Sequence, residues 1–363
     1  MKTLKILHAA DLHLDSAFEA LGAAKAALRR SEQREMLRRV FAAAQEREVD
    51  LVLFAGDVFD YAPVTYAETV AQLRKCLDNC SAKVFIAPGN HDSYRASSPW
   101  AGAFGENVHI FRSESIECVE LPELGARIYG CAFTDAVADA PLRGFCAEKS
   151  EGIFNIGVFH GDTASPDSRY GAISAFDVAG SGLDYLALGH IHTATALQKT
   201  GETWWSYPGC AEGRGFDECG EKGVYYIELG EGECRAEFIP TCTRKYEVLE
   251  VDASQDILPQ LPEGTENDIY RIILSGECEH APEMQALETM LAPRFFSLQL
   301  RDKTRPIQNI WESAAEDSLR GLFLRRMRDA LEKAENETER EKIIQAVRWT
   351  LAALDGGEAV EEI

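Results

Sequence analysis

The segment Gly189-His190-Ile191-His192 follows the apolar run Tyr185-Leu186-Ala187-Leu188 and delivers two imidazoles to one loop. Residues two apart on a straight strand point to opposite faces, so both rings reach one site only if the chain turns after Gly189, a turn that glycine permits. A neutral imidazole is the commonest metal-binding side chain, and two this close are poorly explained as independent core histidines. Of the eight histidines, His13, His91 and His160 stand with this pair in short loops that also carry carboxylates or an amide. Those loops are Asp11-Leu12-His13, Gly89-Asn90-His91-Asp92 and His160-Gly161, and Gly56-Asp57-Val58-Phe59-Asp60 adds further carboxylates. Chance placement would not concentrate five histidines in this way, and imidazole, carboxylate and amide together point to a metal centre.

Each loop ends an apolar strand-like run, at residues 6–10, 51–55, 84–87, 153–159 and 183–188, and the ends of strands are where open α/β sheets build their sites. Between these runs, residues 21–48 read as a long helix with Leu28, Met36, Leu37, Val40 and Phe41 at helical spacing. A second helix is expected from about Pro63 to Asn79, with proline in its first turn. Strand, helix, strand, helix, strand implies parallel pairing with right-handed crossovers. Further short strands at 108–111, 115–121, 126–131, 194–198, 202–206, 224–229 and 234–239 predict a second sheet. The expected fold is mixed α/β (α+β), a two-sheet β-sandwich with flanking helices over residues 1–240. A β-β-α-β unit is expected over 245–305, with strands at 246–251, 269–274 and 295–300 and a helix at 282–291. Apolar residues at helical spacing over 313–334 and 337–354 predict a helical hairpin within a third region, 311–355, and the acidic end beyond it reads as frayed.

The order D-x-H, G-D-x-x-D, G-N-H-D, H and G-H-x-H resembles the calcineurin-like metallophosphoesterase superfamily, whose five signature loops surround two metal ions. The flanking residues are more particular: His8 to Ser16, Asp184 to His192, and Tyr207-Pro208-Gly209 followed by Gly215-Phe216-Asp217-Glu218 and Lys222-Gly223. They are similar to the SbcD-type DNA repair exonucleases, in particular the YhaO-like branch, over roughly residues 1–240. The resemblance implies two-metal hydrolysis of phosphodiester bonds in DNA during double-strand-break repair, alongside a coiled-coil ATPase of the SbcC type, with homodimerisation common among such nucleases. It places Asp11, His13, Asp57 and His192 on one ion and Asp57, Asn90, His160 and His190 on the other. His91, left without an ion, becomes the general acid. Asp92 is expected to orient that ring, and Asp15 and Asp60 to serve as outer acceptors, with loop capping as the alternative for all three. A ligand set without thiolate suits Mn²⁺, Fe²⁺ or Zn²⁺ better than Ca²⁺, and manganese is the expected metal. The glycine-rich segment 207–223, with Tyr207, Gly209, Gly215 and Phe216, is expected to be a flexible loop approaching the substrate backbone. The unit after Arg244 is expected to cap the site.

Length and charge qualify this picture. At 363 residues the chain exceeds one ordinary core. No run of eighteen apolar residues occurs, so no membrane-spanning helix is expected, and His8 and Asp11 interrupt the first apolar patch before a signal-peptide core forms. Ten cysteines without a C-x-x-C pair exclude a zinc ribbon and fit a reducing, cytoplasmic setting. A net charge of −23 argues against broad, unaided binding to DNA. The clusters Arg29, Arg30, Arg34, Arg38, Arg39 and Arg325, Arg326, Arg328 read as solvated helix faces. A phosphatase or phosphodiesterase acting on small molecules or phosphoproteins is the alternative activity. A scaffold with a vestigial site is disfavoured because every ligand position is filled.

Overall fold

The structure is a computed structural model and describes residues 3–61, 66–278, 280–306, 311–334 and 336–354. In chain order its first elements are β1 (Leu4–Ala9), α1 (Ala23–Glu46), β2 (Leu51–Phe54), α2 (Ala67–Asp78), β3 (Lys83–Ile86), β4 (Val108–Ile110), β5 (Glu117–Leu121) and β6 (Ala126–Gly130). There follow β7 (Phe154–His160), α3 (Ala175–Gly180), β8 (Tyr185–Gly189), β9 (Gln198–Thr200), β10 (Thr203–Ser206), β11 (Gly223–Leu229) and β12 (Cys234–Pro240). The strands form two six-stranded sheets, ordered β12-β11-β1-β2-β3-β4 and β5-β6-β7-β8-β10-β9.

Period-two alternation builds the layers. Leu4 and Ile6 of β1, with Leu51, Leu53 and Phe85, share one core with Ile128, Ile156, Val158 and Tyr185 of the other sheet. The opposite face, Leu7, Ala9, Val52 and Phe54, packs on Met36, Leu37 and Val40 of α1. Phe159, Leu186 and Leu188 cover the outer side of the second sheet with Leu142, Ile173 and Val178. His8 crosses the inner core: its Nδ1 meets the Tyr185 hydroxyl at 2.9 Å and its Nε2 the Leu188 carbonyl at 3.1 Å. Strands β1 to β4 run parallel, as do β6, β7, β8 and β10. The loops after β1, β2 and β3 therefore leave one sheet edge, and those after β7 and β8 leave one edge of the other.

Several sequence expectations need correction. Residues 194–198 are not a strand, because Thr195 is pinned to Tyr207, donating its N–H to the Tyr207 carbonyl (2.9 Å) and accepting the Tyr207 N–H on Oγ1 (3.0 Å). Helix α3 is an addition to the expected elements; at six residues it is too short to show periodicity, and its signal is the capping box of Ser174 and Asp177. The second helix begins at Ala67, and the expected start at Pro63 lies outside the described residues. The arginines of α1 are engaged rather than simply solvated. Arg29 is buried between Glu32 (2.7 Å) and Glu212 (2.6 Å), Arg34 lies 3.6 Å from Glu68, and Arg38 pairs with Glu35.

Beyond β12 come β13 (Tyr246–Asp252), β14 (Ile269–Ser275), β15 (Glu277–Cys278), α4 (Met284–Leu291), β16 (Ser297–Asp302), β17 (Arg305–Pro306), α5 (Leu319–Lys333) and α6 (Glu337–Leu354). Strands β13, β14 and β16 form a three-stranded sheet in that order, and β15 pairs with β17. The chain divides into two compact units, one of Met1–Glu250, Leu261–Ile273 and Met284–Arg301, the other of Val251–Gln260, Leu274–Glu283 and Asp302–Ile363. In the second, Leu324 of α5 meets Val347 and Leu351 of α6. No helix among the described residues is long and apolar enough to cross a membrane.

Candidate metal centre

The loops after the parallel strands close on one another through backbone geometry that few residues adopt. Asp11 (φ 50°), His13 (φ 44°), Asp57 (φ 50°) and His190 (φ 106°) all lie at positive φ without being glycine. The first two loops extend the β1–β2 pairing, with His13 N–H donating to the Asp57 carbonyl (2.9 Å) and Leu14 N–H to that of Val58 (2.9 Å). Two glycines let side chains in. A Cβ on Gly56 would stand 2.2 Å from His160 Nδ1, and one on Gly89 would stand 2.2 Å from Asp57 Oδ1. His13 is held further by Ser16 and Gln33, both donating to its carbonyl (2.7 and 2.9 Å).

Two clusters result, each with its ligand atoms within 4.8 Å of one another: Asp11, His13 and His192, and Asp11, Asp57 and His160. Their internal contacts pair acceptors with acceptors. His160 Nδ1 donates to the Ala55 carbonyl (2.9 Å), so its Nε2 turns a lone pair toward Asn90 Oδ1 (2.9 Å) and Asp57 Oδ2 (3.3 Å). His13 Nε2 faces His192 Nε2 at 3.2 Å. Such contacts are relieved by a cation or by a proton. Without a cation, burial opposes charge on His160 but the Asp57 carboxylate outweighs it, lifting the ring to about 9. Burial raises Asp11 to about 6, against the pull of His160 and His192, and lowers His13 to about 4. Asp57 is held well below the carboxylate range; burial opposes this, and His160 prevails. The donor set fits divalent metal ions.

Residues 4–194 match the calcineurin-like phosphoesterase family. The chain belongs to that family. Among curated relatives, it is 30% identical over 266 residues to the uncharacterized metallophosphoesterase YhaO of Bacillus subtilis, a match spanning 70% of this chain and 63% of that protein. It is 25% identical over 272 residues to the SbcD component of nuclease SbcCD from the same organism, spanning 63% of this chain and 67% of that one. Among solved structures, a dimetal phosphatase from Danio rerio aligns with a TM-score of 0.43 at 12% identity, over 66% of this chain and 96% of that one.

The phosphoesterase site brings the seven expected metal residues to neighbouring loop ends, with one change in grouping: Asp11 stands with Asp57 and His160 as well as with His13 and His192. His190 is half-buried, its ring 5.3 Å from that of His160 and 5.2 Å from that of Tyr170, and its N–H donates to both Asp11 oxygens (3.1 Å each). His91 is exposed; its N–H donates to Asp57 Oδ1 (2.9 Å) and its Nδ1 to the Asp60 carbonyl (2.7 Å), which turns Nε2 outward. Asp60, not Asp92, thus orients that ring. Asp92 is buried, and its carboxylate accepts from Val58 N–H (2.9 Å), Phe59 N–H (3.2 Å) and Gly89 N–H (2.8 Å), tying the Asp57 loop to the Asn90 loop. Asp15 accepts from Tyr66 N–H (2.9 Å) and the Thr69 hydroxyl (2.6 Å), which fixes the start of α2.

The glycine-rich segment also needs correction, since it is packed rather than flexible. Tyr207, Cys210, Ala211 and Glu212 are buried. The Tyr207 hydroxyl donates to the Gly161 carbonyl (2.7 Å), and Gly209, at φ +74°, lies where a Cβ would meet the His192 carbonyl at 2.7 Å. These two residues hold metal loops instead of facing substrate. A Cβ on Gly215 would stand 2.5 Å from Asp217 Oδ1, and the Phe216 ring lies against Tyr246 (5.2 Å) and beneath Arg271 (4.1 Å). Sequence reasoning missed Arg214 and passed over Glu218 as a site residue, although both sit in the segment it singled out. Arg214 Nη1 donates to Asp60 Oδ1 (2.8 Å), and Glu218 Oε1 lies 2.8 Å from His192 Nδ1.

A cleft of about 940 Å³ opens on Asn90 and His91, with Tyr61, Arg95, Arg169 and Tyr170 among its walls. Another, of about 450 Å³ and lined by Arg38, Gln72 and Cys76, contains no residue of the metal clusters.

Proposed function

We propose that this phosphoesterase hydrolyses phosphodiester bonds in DNA, as the nuclease component of a double-strand-break repair complex. The observation that carries the reading is the position of His91, exposed beside Asn90 in the cleft with Nε2 free and the carboxylate clusters behind it. Bound divalent cations, manganese by preference, would supply an activated water and neutralise charge on the phosphoryl oxygens. Asp11, His13 and His192 would hold one ion, and Asp57, Asn90, His160 and His190 the other, with Asp57 shared. His91, protonated, donates a hydrogen bond to the phosphate and its proton to the leaving alkoxide. Arg95, Arg169, Tyr61 and Tyr170 offer cations and stacking faces suited to a nucleic-acid strand.

The likeness to a protein named as part of nuclease SbcCD supports DNA as substrate and a coiled-coil ATPase as partner. The net charge of −23 is the reason such a partner is required, because phosphate neutralisation dominates DNA affinity. The α5–α6 hairpin, with Leu319, Leu322, Trp349 and Leu354 exposed, is the proposed docking element. To test the activity, purified protein with Mn²⁺ is assayed in parallel on linear duplex DNA, single-stranded DNA, a generic phosphodiester and a phosphomonoester. DNA and diester cleavage is expected. Monoester hydrolysis with no DNA cleavage would transfer the assignment to a phosphatase.

A further inference from the structure

We infer that Glu218 is a positioning residue that keeps His192 competent as a metal ligand, and that Arg214 locks Glu218 in place. Glu218 is buried. Its Oε1 stands 2.8 Å from His192 Nδ1, and the same oxygen accepts from Arg214 Nη2 at 2.7 Å, while Oε2 accepts the Arg214 backbone N–H at 2.8 Å. Arg214 Nη1 reaches Asp60 Oδ1 at 2.8 Å, and that oxygen lies 3.2 Å from His13 Nδ1. One guanidinium therefore joins two carboxylates, each placed behind one of the two imidazoles whose Nε2 atoms face each other at 3.2 Å. The His13 contact is out of line for a hydrogen bond, so the stronger half of the clamp is at His192.

The proton on the His192 ring decides what the clamp does. A carboxylate behind Nδ1 holds the hydrogen there and leaves the Nε2 lone pair for a cation. Arg214 Nη2 also approaches Nδ1, at 3.1 Å, and it can only donate. Were Arg214 the partner, the hydrogen would move to Nε2 and the lone pair would be lost. Glu218 takes Nδ1 because it is closer and charged, and the three remaining Arg214 contacts keep the guanidinium occupied elsewhere. Glu218→Gln presents an amide that can turn its NH₂ toward Nδ1 and favour the wrong tautomer with little change in volume.

The inference rests on the metal-centre reading and not on the choice of substrate. Metal-free wild type, Glu218→Gln, Arg214→Lys, His192→Ala and the Glu218→Gln/His192→Ala double variant are titrated with Mn²⁺ by calorimetry, with stoichiometry checked by elemental analysis. Two ions are expected in the wild type. Glu218→Gln should weaken one of the two by about 10- to 100-fold, the range seen when an outer partner of a ligating histidine is removed, and leave the other unchanged. In the His192→Ala background the same substitution should have no further effect. Wild-type affinity in Glu218→Gln, or an equal loss with and without His192, would overturn the assignment. Circular dichroism of the metal-free proteins tests folding, and if Glu218→Gln does not fold, selective weakening of one ion in Arg214→Lys carries the test. Two ions bound by a wild type that cleaves no DNA would refute the proposed substrate and leave this inference standing.

Discussion

Replacing Asp92 by alanine removes a side chain that contacts no expected metal ligand through its carboxylate, yet the structure predicts a large effect. Three backbone N–H groups, of Val58, Phe59 and Gly89, donate to it in a buried setting. A buried donor left without a partner costs about 1–3 kcal/mol, so three give about 3 kcal/mol at the low end. Water entering the vacated space keeps the value toward that end. Asp92→Asn retains one acceptor oxygen and turns an NH₂ toward the remaining donor, so about 1–3 kcal/mol is expected from the one lost bond. Hydrogen exchange of the metal-free protein, read on peptides covering Val58, Phe59 and Gly89, measures the local opening free energy directly. The expected order of protection is wild type, then Asn, then Ala, with weaker metal binding in the same order because Asp57 and Asn90 adjoin these donors. An alanine variant within about 0.5 kcal/mol of wild type, the range of an ordinary surface change, would refute the reasoning.

Three further outcomes are expected. Asp57→Ala should lose both turnover and bound metal, whereas His91→Ala should lose turnover with metal retained; elemental analysis distinguishes them, and matching metal loss would remove His91 as general acid. His8, buried, is lowered from 6.5 to about 3 by desolvation, against its bond to the Leu188 carbonyl. The unfolded chain therefore binds a proton that the folded one refuses, and as pH falls from 6.5 toward 3 stability should drop by up to about 1.4 kcal/mol per pH unit; the drop should be shallower in His8→Gln by urea titration. Glu212→Ala leaves Arg29 in the interior with one of its two carboxylates gone, and about 3–5 kcal/mol of stability should be lost by urea unfolding, where a change under about 1 kcal/mol would show the pair to be dispensable.

The ligand loops were legible because each closes an apolar run, and both the run and the loop chemistry are local properties of the chain. Strand pairing followed from the same runs. The outer partners were less legible because their roles depend on distance in space. Nothing adjacent in sequence shows that Asp92 faces Val58, or that the Asp60 carbonyl rather than a neighbouring carboxylate holds His91. The glycines of the 207–223 segment suggested freedom of movement, but Gly209 is there because the His192 carbonyl leaves no room for a Cβ. The arginines of α1 likewise read as a basic stripe until Glu212, far away in sequence, was seen beside Arg29.

The left-handed backbone at Asp11, His13, Asp57 and His190 bears on how this protein can be engineered. Each such residue costs roughly 1–3 kcal/mol relative to a relaxed conformation, and glycine, or asparagine to a lesser degree, relieves that cost. A library selected for heat resistance alone would thus be drawn to these four positions, where the most accessible gains in stability are also deletions of metal-binding atoms. Selection carried out with saturating metal reverses the incentive, because ligand binding to the folded state adds stability that the glycine variants forfeit. Thermostable variants that keep their activity are therefore to be sought with metal present at every round.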